Sequence, residues 1–486
     1  MASLGYSLTL LYIVLLVGRV PEITSFFIGN SLFQVLVVTM ALLALAIISG
    51  VIVKVGSTRI GLYFLGFHLW VMLTMPMSGY RRGSFDMFGY MMKYLPAIFF
   101  VGGFLIRSTD TMRRGLWALA WAGTVGLLWS LYTGGGGEDV ERFASFGTFS
   151  NSNELAIYLL LMLPAWGFIV VNTRYNWFTR IFFMAVSVAG LMTSLRTGSR
   201  SGLMTIGLLA AVVFLSLSIA NKFKFIVVAG IATIGILAWT PDSIKSRWVT
   251  ILNNKANVTD DATSSAVGSS EARWALLIES LETTIHHPIM GTGIGVYTDV
   301  AAREKNQNGQ RALWQVTHNA YTQISAETGI PGFILYMTAL CLSIKELLKV
   351  RRLAKTNPQL AELGTISTAL LYCYLVFCFN GCFTSMAMQF TYYTLVGFSI
   401  AMTLASQQYL TQTASSNPAA APLGSPRFFP RVAPAVAGAK PAVDGLVVSA
   451  KNIPDAAVTR AKDKYENAPW RRNPRKHPPK PGTPSR

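Results

Sequence analysis

The chain is built from a long succession of apolar stretches, each near membrane-spanning length, separated by short polar turns. Hydrocarbon offers the backbone no hydrogen-bond partner, so such stretches must be helices that satisfy their own N–H and C=O groups. They fall at Leu4–Val17, Ser31–Val53, Ile60–Met75, Met87–Ile106, Gly115–Tyr132, Leu155–Val171, Phe178–Leu195, Gly202–Ile219, Phe223–Trp239, Ile330–Ile344, Leu363–Cys382 and Met388–Ala405, about twelve in all. The first is short, and it lacks a basic flank and a small-residue cleavage site, so it reads as an uncleaved span rather than a signal peptide. Only 13% of residues are charged and 52% are apolar, with a mean hydropathy of +0.43. An ordinary soluble domain is excluded. The fold class expected is an all-α integral membrane protein.

The basic residues orient it. With the N-terminus inside, one set of connections carries Lys54, Arg59, Arg107, Arg113, Arg114, Arg174, Arg180, Lys222, Lys224, Lys345, Lys349, Arg351, Arg352 and Lys355. The opposite connections hold fewer basic residues, mostly beside Glu22, Asp86, Glu138, Asp139 and Glu141. The positive-inside rule then puts both termini in the cytoplasm. The largest loop, residues 240–316 between the ninth and tenth spans, faces out. The formal net charge of +19 thus serves topology and lipid contact rather than nucleic acid, for which no basic-aromatic module is present.

Residues 1–405 form the membrane body. From residue 406 the composition shifts to Pro, Ala and Ser and then Lys and Arg, too poor in apolar surface to fold, so 406–486 is expected to be a disordered basic tail. Cys341, Cys373, Cys378 and Cys382 all lie in or at the end of predicted spans, without His or carboxylate partners. They read as small packing residues, and no metal ligand set is identified.

Within the outer loop, Asn253–Ser270 reads as a flexible polar run. An amphipathic helix follows, with Trp274, Leu277, Ile278, Leu281 and Ile285 at helical spacing and Ser269 or Ser270 as its cap. It should stop at His287-Pro288, where Gly291-Thr292-Gly293-Ile294-Gly295 makes a tight turn. That glycine run lacks the preceding strand and the GK[ST] ending of a nucleotide loop.

Beyond the loop stands Thr317-His318-Asn319-Ala320-Tyr321, followed by Glu327-Thr328-Gly329-Ile330-Pro331-Gly332. If Asn319 caps a short helix, His318 lies beside its positive end, which favours the neutral imidazole. Gly329 would bend the chain and Pro331 would open the next helix. A neutral imidazole can accept a proton; the plain alternative is a surface histidine at the bilayer interface. Arg196 and Arg200 share a short outer turn, against the positive-inside rule, while Arg142 precedes the sixth span and Arg273 opens the loop helix. Guanidinium groups suit phosphate, yet each arginine could equally snorkel or pair with an acid such as Glu138 or Glu141. Glu327, nine residues past His318, would face away from it on a continuous helix and is read as structural.

Taken together, Gly147-Thr148-Phe149-Ser150-Asn151-Ser152-Asn153-Glu154-Leu155-Ala156, Ser199-Arg200-Ser201-Gly202, Arg273-Trp274 leading to His287-Pro288 and Gly291–Gly293, and His318–Tyr321 running to Glu327–Gly332 resemble the O-antigen ligase and polymerase superfamily of bacterial membrane glycosyltransferases. The resemblance covers roughly Gly147 to Ala405, with Ser152 where the family often has proline. It implies about twelve helices with a periplasmic loop packed over the catalytic cavity. It also implies transfer of a glycan from an undecaprenyl-pyrophosphate carrier to an acceptor hydroxyl at the periplasmic face of the inner membrane, with no nucleotide and no cofactor. Carried over residue by residue, His318 would be the base, and Arg200 and Arg273 the pyrophosphate clamp, with Arg142 and Arg196 as further candidates. Asn153, Asn319, Tyr321 and Glu327 would stand near the site in acceptor-side or structural roles. No outer carboxylate cluster suggests a divalent metal, so a metal-independent reaction is expected. The acceptor could be a lipid A core sugar, another repeat unit or a protein side chain. A transporter and an envelope scaffold are the alternatives from other classes; the absence of an internal repeat and the gathering of charges at one face weigh against transport.

Overall fold

The computed structural model describes residues 2–28, 32–136, 142–144, 151–249, 251, 261–307, 309 and 315–416. The chain divides into two units, Met1–Ala421 and Pro422–Arg486; the second lies outside the described residues, as do the first part of the Gly147–Ala156 motif and the run 252–260. Among the described residues the first unit is helices joined by turns, with a two-residue antiparallel ribbon, β1 (Gly135–Gly136) with β2 (Phe143–Ala144).

The chain opens with α1 (Ala2–Val17), α2 (Val20–Ile28), α3 (Leu32–Ile48), α4 (Val51–Gly56), α5 (Arg59–Thr74), α6 (Arg81–Tyr94), α7 (Pro96–Phe104) and α8 (Thr109–Thr133). After the ribbon come α9 (Ser152–Val171), α10 (Trp177–Arg196), α11 (Arg200–Ser216) and α12 (Ile219–Trp239). Three helices, α13 (Asp242–Val249), α14 (Asp261–His286) and α15 (Tyr297–Gln307), form the loop, before α16 (Ala320–Thr356), α17 (Ala361–Gly381) and α18 (Phe390–Ser416).

Every apolar stretch is helical, but the expected spans are not all continuous. Among the described residues seven helices are long and apolar enough to cross a membrane, or eight if the bent pair α1–α2 counts as one. The stretch Ser31–Val53 breaks at Gly50, whose φ of +67° starts α4 afresh. Met87–Ile106 carries Pro96 at the first position of α7, but Leu95 keeps helical angles and Arg81–Phe104 counts as one span. The α1–α2 pair bends by 61° at Gly18-Arg19. Arg19, left-handed at φ 57°, is buried there, bonded to Glu22 and seated over the Phe390 ring at 5.0 Å. A buried arginine needs such company, because its charge cannot be neutralised.

The core gathers α7, α8, α9, α16, α17 and α18. Polar groups within it are tied across helices: Trp166 Nε1 donates to Ala120 O at 2.8 Å and Tyr158 Oη to Val17 O at 2.9 Å, while Asn380 Nδ2 reaches Thr205 Oγ1 at 2.9 Å. At the opposite extreme, α12 has no buried residue.

Two boundaries differ from expectation. The loop helix α14 begins at Asp261, so 261–270 is helical and Ser269 and Ser270 lie inside the helix instead of capping it. The run has no proline and one glycine to oppose a helix. Ser and Thr residues made it look like a loop, although they are only mildly unfavourable to helix. The last helix likewise runs to Ser416, past the expected end at Ala405, because Ser406–Ser416 carries neither Gly nor Pro to stop it.

The joint that positions the site is at Gly329. There α16 breaks, with φ 70° and ψ −179°, and Pro331 lies in the first turn of the continuing helix. The last carbonyls before the break find outside donors. Thr292 N–H donates to Ala326 O at 2.9 Å, Gly293 N–H to Glu327 O at 3.0 Å, and Trp70 Nε1 to Thr328 O at 2.9 Å. In return Ile330 N–H donates to Pro288 O at 2.8 Å. The glycine turn of the loop and the break in α16 are therefore two halves of one joint. A methyl at Gly329 would come 2.1 Å from Ile289 O, and one at Gly291 would come 2.3 Å from the Glu327 carbonyl carbon.

Candidate active site

Asn319 caps α16, its Oδ1 accepting from Tyr321 N–H at 2.9 Å and Thr322 N–H at 3.1 Å. The cap is pinned from both sides. Asn319 Nδ2 donates to Cys382 O at 3.3 Å, and Thr317 Oγ1 lies 3.0 Å from Ser385 Oγ. Between these two anchors His318 is half-buried in the left-handed region at φ 50°, a conformation that few residues without a polar side chain adopt.

His318 opens onto a cleft of about 500 Å³ with Arg200, Arg273, Ser201, Trp274 and Phe383 in its walls. Arg200 begins α11, capped by Ser199, and Arg273 projects from α14. Three separate segments thus deliver the imidazole and two guanidinium groups to one space. The basic groups around the cleft bear on one another electrostatically. Burial and then Arg273 hold the His318 imidazole below the usual histidine range. The Arg200 guanidinium is lowered by burial, then by Arg273 and Arg247; that of Arg273 by burial and then Arg247. Like charges gathered this closely are costly unless a counter-anion joins them.

Sequence reasoning missed Arg247, which is buried on α13 close enough to bias both arginines. The sign was present: Lys245 and Arg247 are further basic residues in the loop that the positive-inside rule expects to face outward. In the sequence Trp274 reads as part of an apolar helix face and of the Arg273-Trp274 motif, Cys382 reads as a packing residue, and Phe383 is passed over; all three line the cleft.

Other candidates lie off the cleft lining. Arg142 donates from Nε to Thr197 O at 2.9 Å and from Nη2 to Asn153 Oδ1 at 3.1 Å, which makes Asn153 its partner. It braces the turn before Arg200. A methyl on Gly198 would sit 3.8 Å from Nε of both Arg142 and Arg247. Arg196 is exposed and faces the rings of Phe143 and Trp239 at 5.6 and 5.5 Å. A cation resting on two rings already has its partners, so Arg196 is removed from the cluster. Tyr321 bonds Cys378 O at 2.8 Å. Glu327 is buried beneath the glycine turn and accepts Gly295 N–H at 2.9 Å. Burial raises its carboxyl to about 7, against the opposing pull of that N–H. Among the described residues no three His, Cys, Asp or Glu side chains converge as a metal site.

Residues 185–337 match the family model described as O-antigen ligase. That stretch, about a third of the chain, is similar to the O-antigen ligase family. No curated protein matches it. The O-antigen ligase segment runs from α10 into α16, so it contains Arg200, Arg247, Arg273 and His318 together with both halves of the glycine joint. Arg142 and Asn153 lie outside it. The match supports a glycosyltransferase-like reading of this segment within a chain of several membrane-length apolar helices.

Proposed function

We propose that the chain transfers a glycan from a polyprenyl-pyrophosphate carrier, undecaprenyl in the bacterial case, to an acceptor hydroxyl at the outer face of the inner membrane. The observation that carries this reading is one cleft where the His318 imidazole faces Arg200 and Arg273, its pKa lowered by burial and by Arg273, with Arg247 close to both arginines.

The chemistry follows from those groups. The acceptor hydroxyl attacks the anomeric carbon and gives its proton to the His318 imidazole. The new bond joins acceptor oxygen to anomeric carbon, and the bond from that carbon to the pyrophosphate oxygen breaks, its electron pair leaving with the pyrophosphate. Negative charge growing on the leaving group is met by guanidinium groups already fixed in place, worth most where water is excluded. Arginine can hold two phosphate oxygens at once, which also aligns the breaking bond. Met204, Leu277 and Phe383 give the cleft an apolar side for the first carrier units. His318 is the general base, Arg200 and Arg273 the clamp, and Asn319 positions the histidine by capping α16.

The test uses the purified full-length chain in liposomes with an undecaprenyl-pyrophosphate-linked oligosaccharide and a hydroxyl acceptor. Glycosylated acceptor and free carrier pyrophosphate should appear in equal amounts. Glycan that crosses the bilayer still attached to its carrier would overturn the reading in favour of transport. The glycan profile of a deletion strain then separates acceptors: full-length chains stranded on the carrier mark a ligase, single repeat units a polymerase.

A further inference from the structure

A second cavity, of about 600 Å³, lies between α9, α11, α16 and α17. Three of them, α11, α16 and α17, begin or end beside the cleft and contribute a more distant stretch here. On α11 the cleft takes Arg200 and this groove takes Leu209 and Val213; Cys382, capping the end of α17, borders the cleft, and Gly364 and Thr368 of α17 line the groove. At a rise of 1.5 Å per residue that separation is about 20 Å, so the two openings belong to opposite sides of the helix layer.

The groove is apolar along its length, with Leu163, Pro164, Gly167 and Phe168 on its α9 wall, and it ends at Arg351 and Lys355, one turn apart on α16. The carboxylates described at this end are already engaged. Glu362 meets Arg113 at 3.0 Å and Arg174 at 3.3 Å, Asp110 holds Arg113 and Arg114, and Glu346 lies 3.6 Å from Lys349. Neither Arg351 nor Lys355 has an acidic partner among the described residues. Two cations at the mouth of an apolar slot between spans match an amphiphile with a phosphate head and an acyl chain.

We propose that this groove is a binding site for an anionic glycerophospholipid of the leaflet opposite the catalytic cleft, with its phosphate on Arg351 and Lys355 and one acyl chain along α9. The proposal is independent of the glycan chemistry. A free phosphate would use the two cations but leave the slot empty; a zwitterionic lipid would fill the slot but bring its own cation to the rim.

The experiment measures lipid binding to the full-length chain in neutral detergent, by native mass spectrometry and thermal shift, with phosphatidylglycerol, phosphatidylcholine and inorganic phosphate as probes. Phosphatidylglycerol should bind and stabilise, and the other two should not. The double variant Arg351→Gln with Lys355→Gln should weaken phosphatidylglycerol roughly 10- to 30-fold, two surface cations' worth. The basic tail is common to both proteins and cancels. Gly167→Phe tests the slot with the charges intact, because a Cβ at Gly167 meets nothing within 4 Å and the ring can enter the groove without a clash at its root. It too should lose phosphatidylglycerol, while melting like the parent when lipid is absent. Equal binding of phosphatidylcholine, inorganic phosphate acting as well as lipid, or unchanged phosphatidylglycerol affinity in both variants would each overturn the proposal. Lys222→Gln with Lys224→Gln, basic residues away from the groove, should bind phosphatidylglycerol like the parent; an equal loss there would also overturn it.

Discussion

Replacing His318 perturbs two things at once, and the structure shows how to separate them. The residue supplies an imidazole to the cleft, and it holds a left-handed backbone at φ 50° between anchored neighbours. Alanine removes the base and adds backbone strain of roughly 1 kcal/mol, since a side chain without polar groups is poorly suited to that region. Asparagine also removes the base but tolerates the left-handed conformation as histidine does. Losing a general base costs about 10²- to 10⁴-fold in rate, or roughly 3–5 kcal/mol of barrier. His318→Asn and His318→Ala should therefore be slowed alike by that factor, while only the alanine variant melts a few degrees lower. The assay is transfer from lipid-linked donor in liposomes across pH, beside thermal unfolding of each protein. Because burial and Arg273 lower the imidazole's pKa, the base stays available through neutral pH. Parental activity should hold until pH drops below the ordinary histidine range and then decline as the imidazole protonates. Both variants should lack that decline. Parental transfer by His318→Asn, with a slow His318→Ala, would show that the site needs the backbone turn rather than the imidazole, and the base assignment would fall.

Four further outcomes are expected. Arg200→Lys and Arg273→Lys should each lose about 2–4 kcal/mol of transition-state stabilisation, because lysine cannot reproduce the two-pronged grip; full transfer by both, at normal expression, would reduce them to point charges. Arg247→Gln should slow transfer roughly 10- to 100-fold, the range of a charge-assisted bond, measured as kcat/KM for the lipid-linked donor. Gly329→Ala should destabilise by on the order of 3 kcal/mol, since the methyl meets Ile289 O and the φ of 70° is strained for alanine; thermal melting reads it directly. Glu327→Gln should remove a pH dependence of stability: a carboxyl raised from 4.5 to about 7 favours the fold below its unfolded value and loses that contribution as pH climbs through 7, by at most about 3 kcal/mol. The melting temperature of the variant should be flat over that window, where the parent's falls.

Much of this was legible in the chain. Apolar stretches declared the helices because hydrocarbon leaves no other choice, and Asn319, Gly329 and Pro331 declared a cap, a break and a restart, all present as expected. His318, Arg200 and Arg273 meet at one cleft although 118 residues separate Arg200 from His318. The losses have a common cause, which is that sequence shows a residue's type and not its company. Arg196 and Arg200 are four positions apart, close enough to look equivalent, yet a helix end lies between them: Arg196 finishes α10 against two rings, and Arg200 starts α11 in the cleft. Arg247 sits in an undistinguished segment, and only tertiary packing brings it behind the other two. Nor could spacing reveal that the Gly291–Gly295 turn exists to receive the carbonyls freed at Gly329.

The bare helix α12 sets a different kind of rule for how this chain can vary. None of its 21 residues is buried, so apart from Trp239, whose ring faces Arg196, selection there acts on length and oiliness while particular side chains are free to drift. Its neighbour α13 carries a buried arginine beside the cleft and can tolerate little drift at that position. Aligned relatives should then show a stretch of near-random apolar letters running straight into a fixed Arg247. Chimeras that exchange only this span should transfer glycan at the parental rate, provided the exchange keeps α13 at the same height.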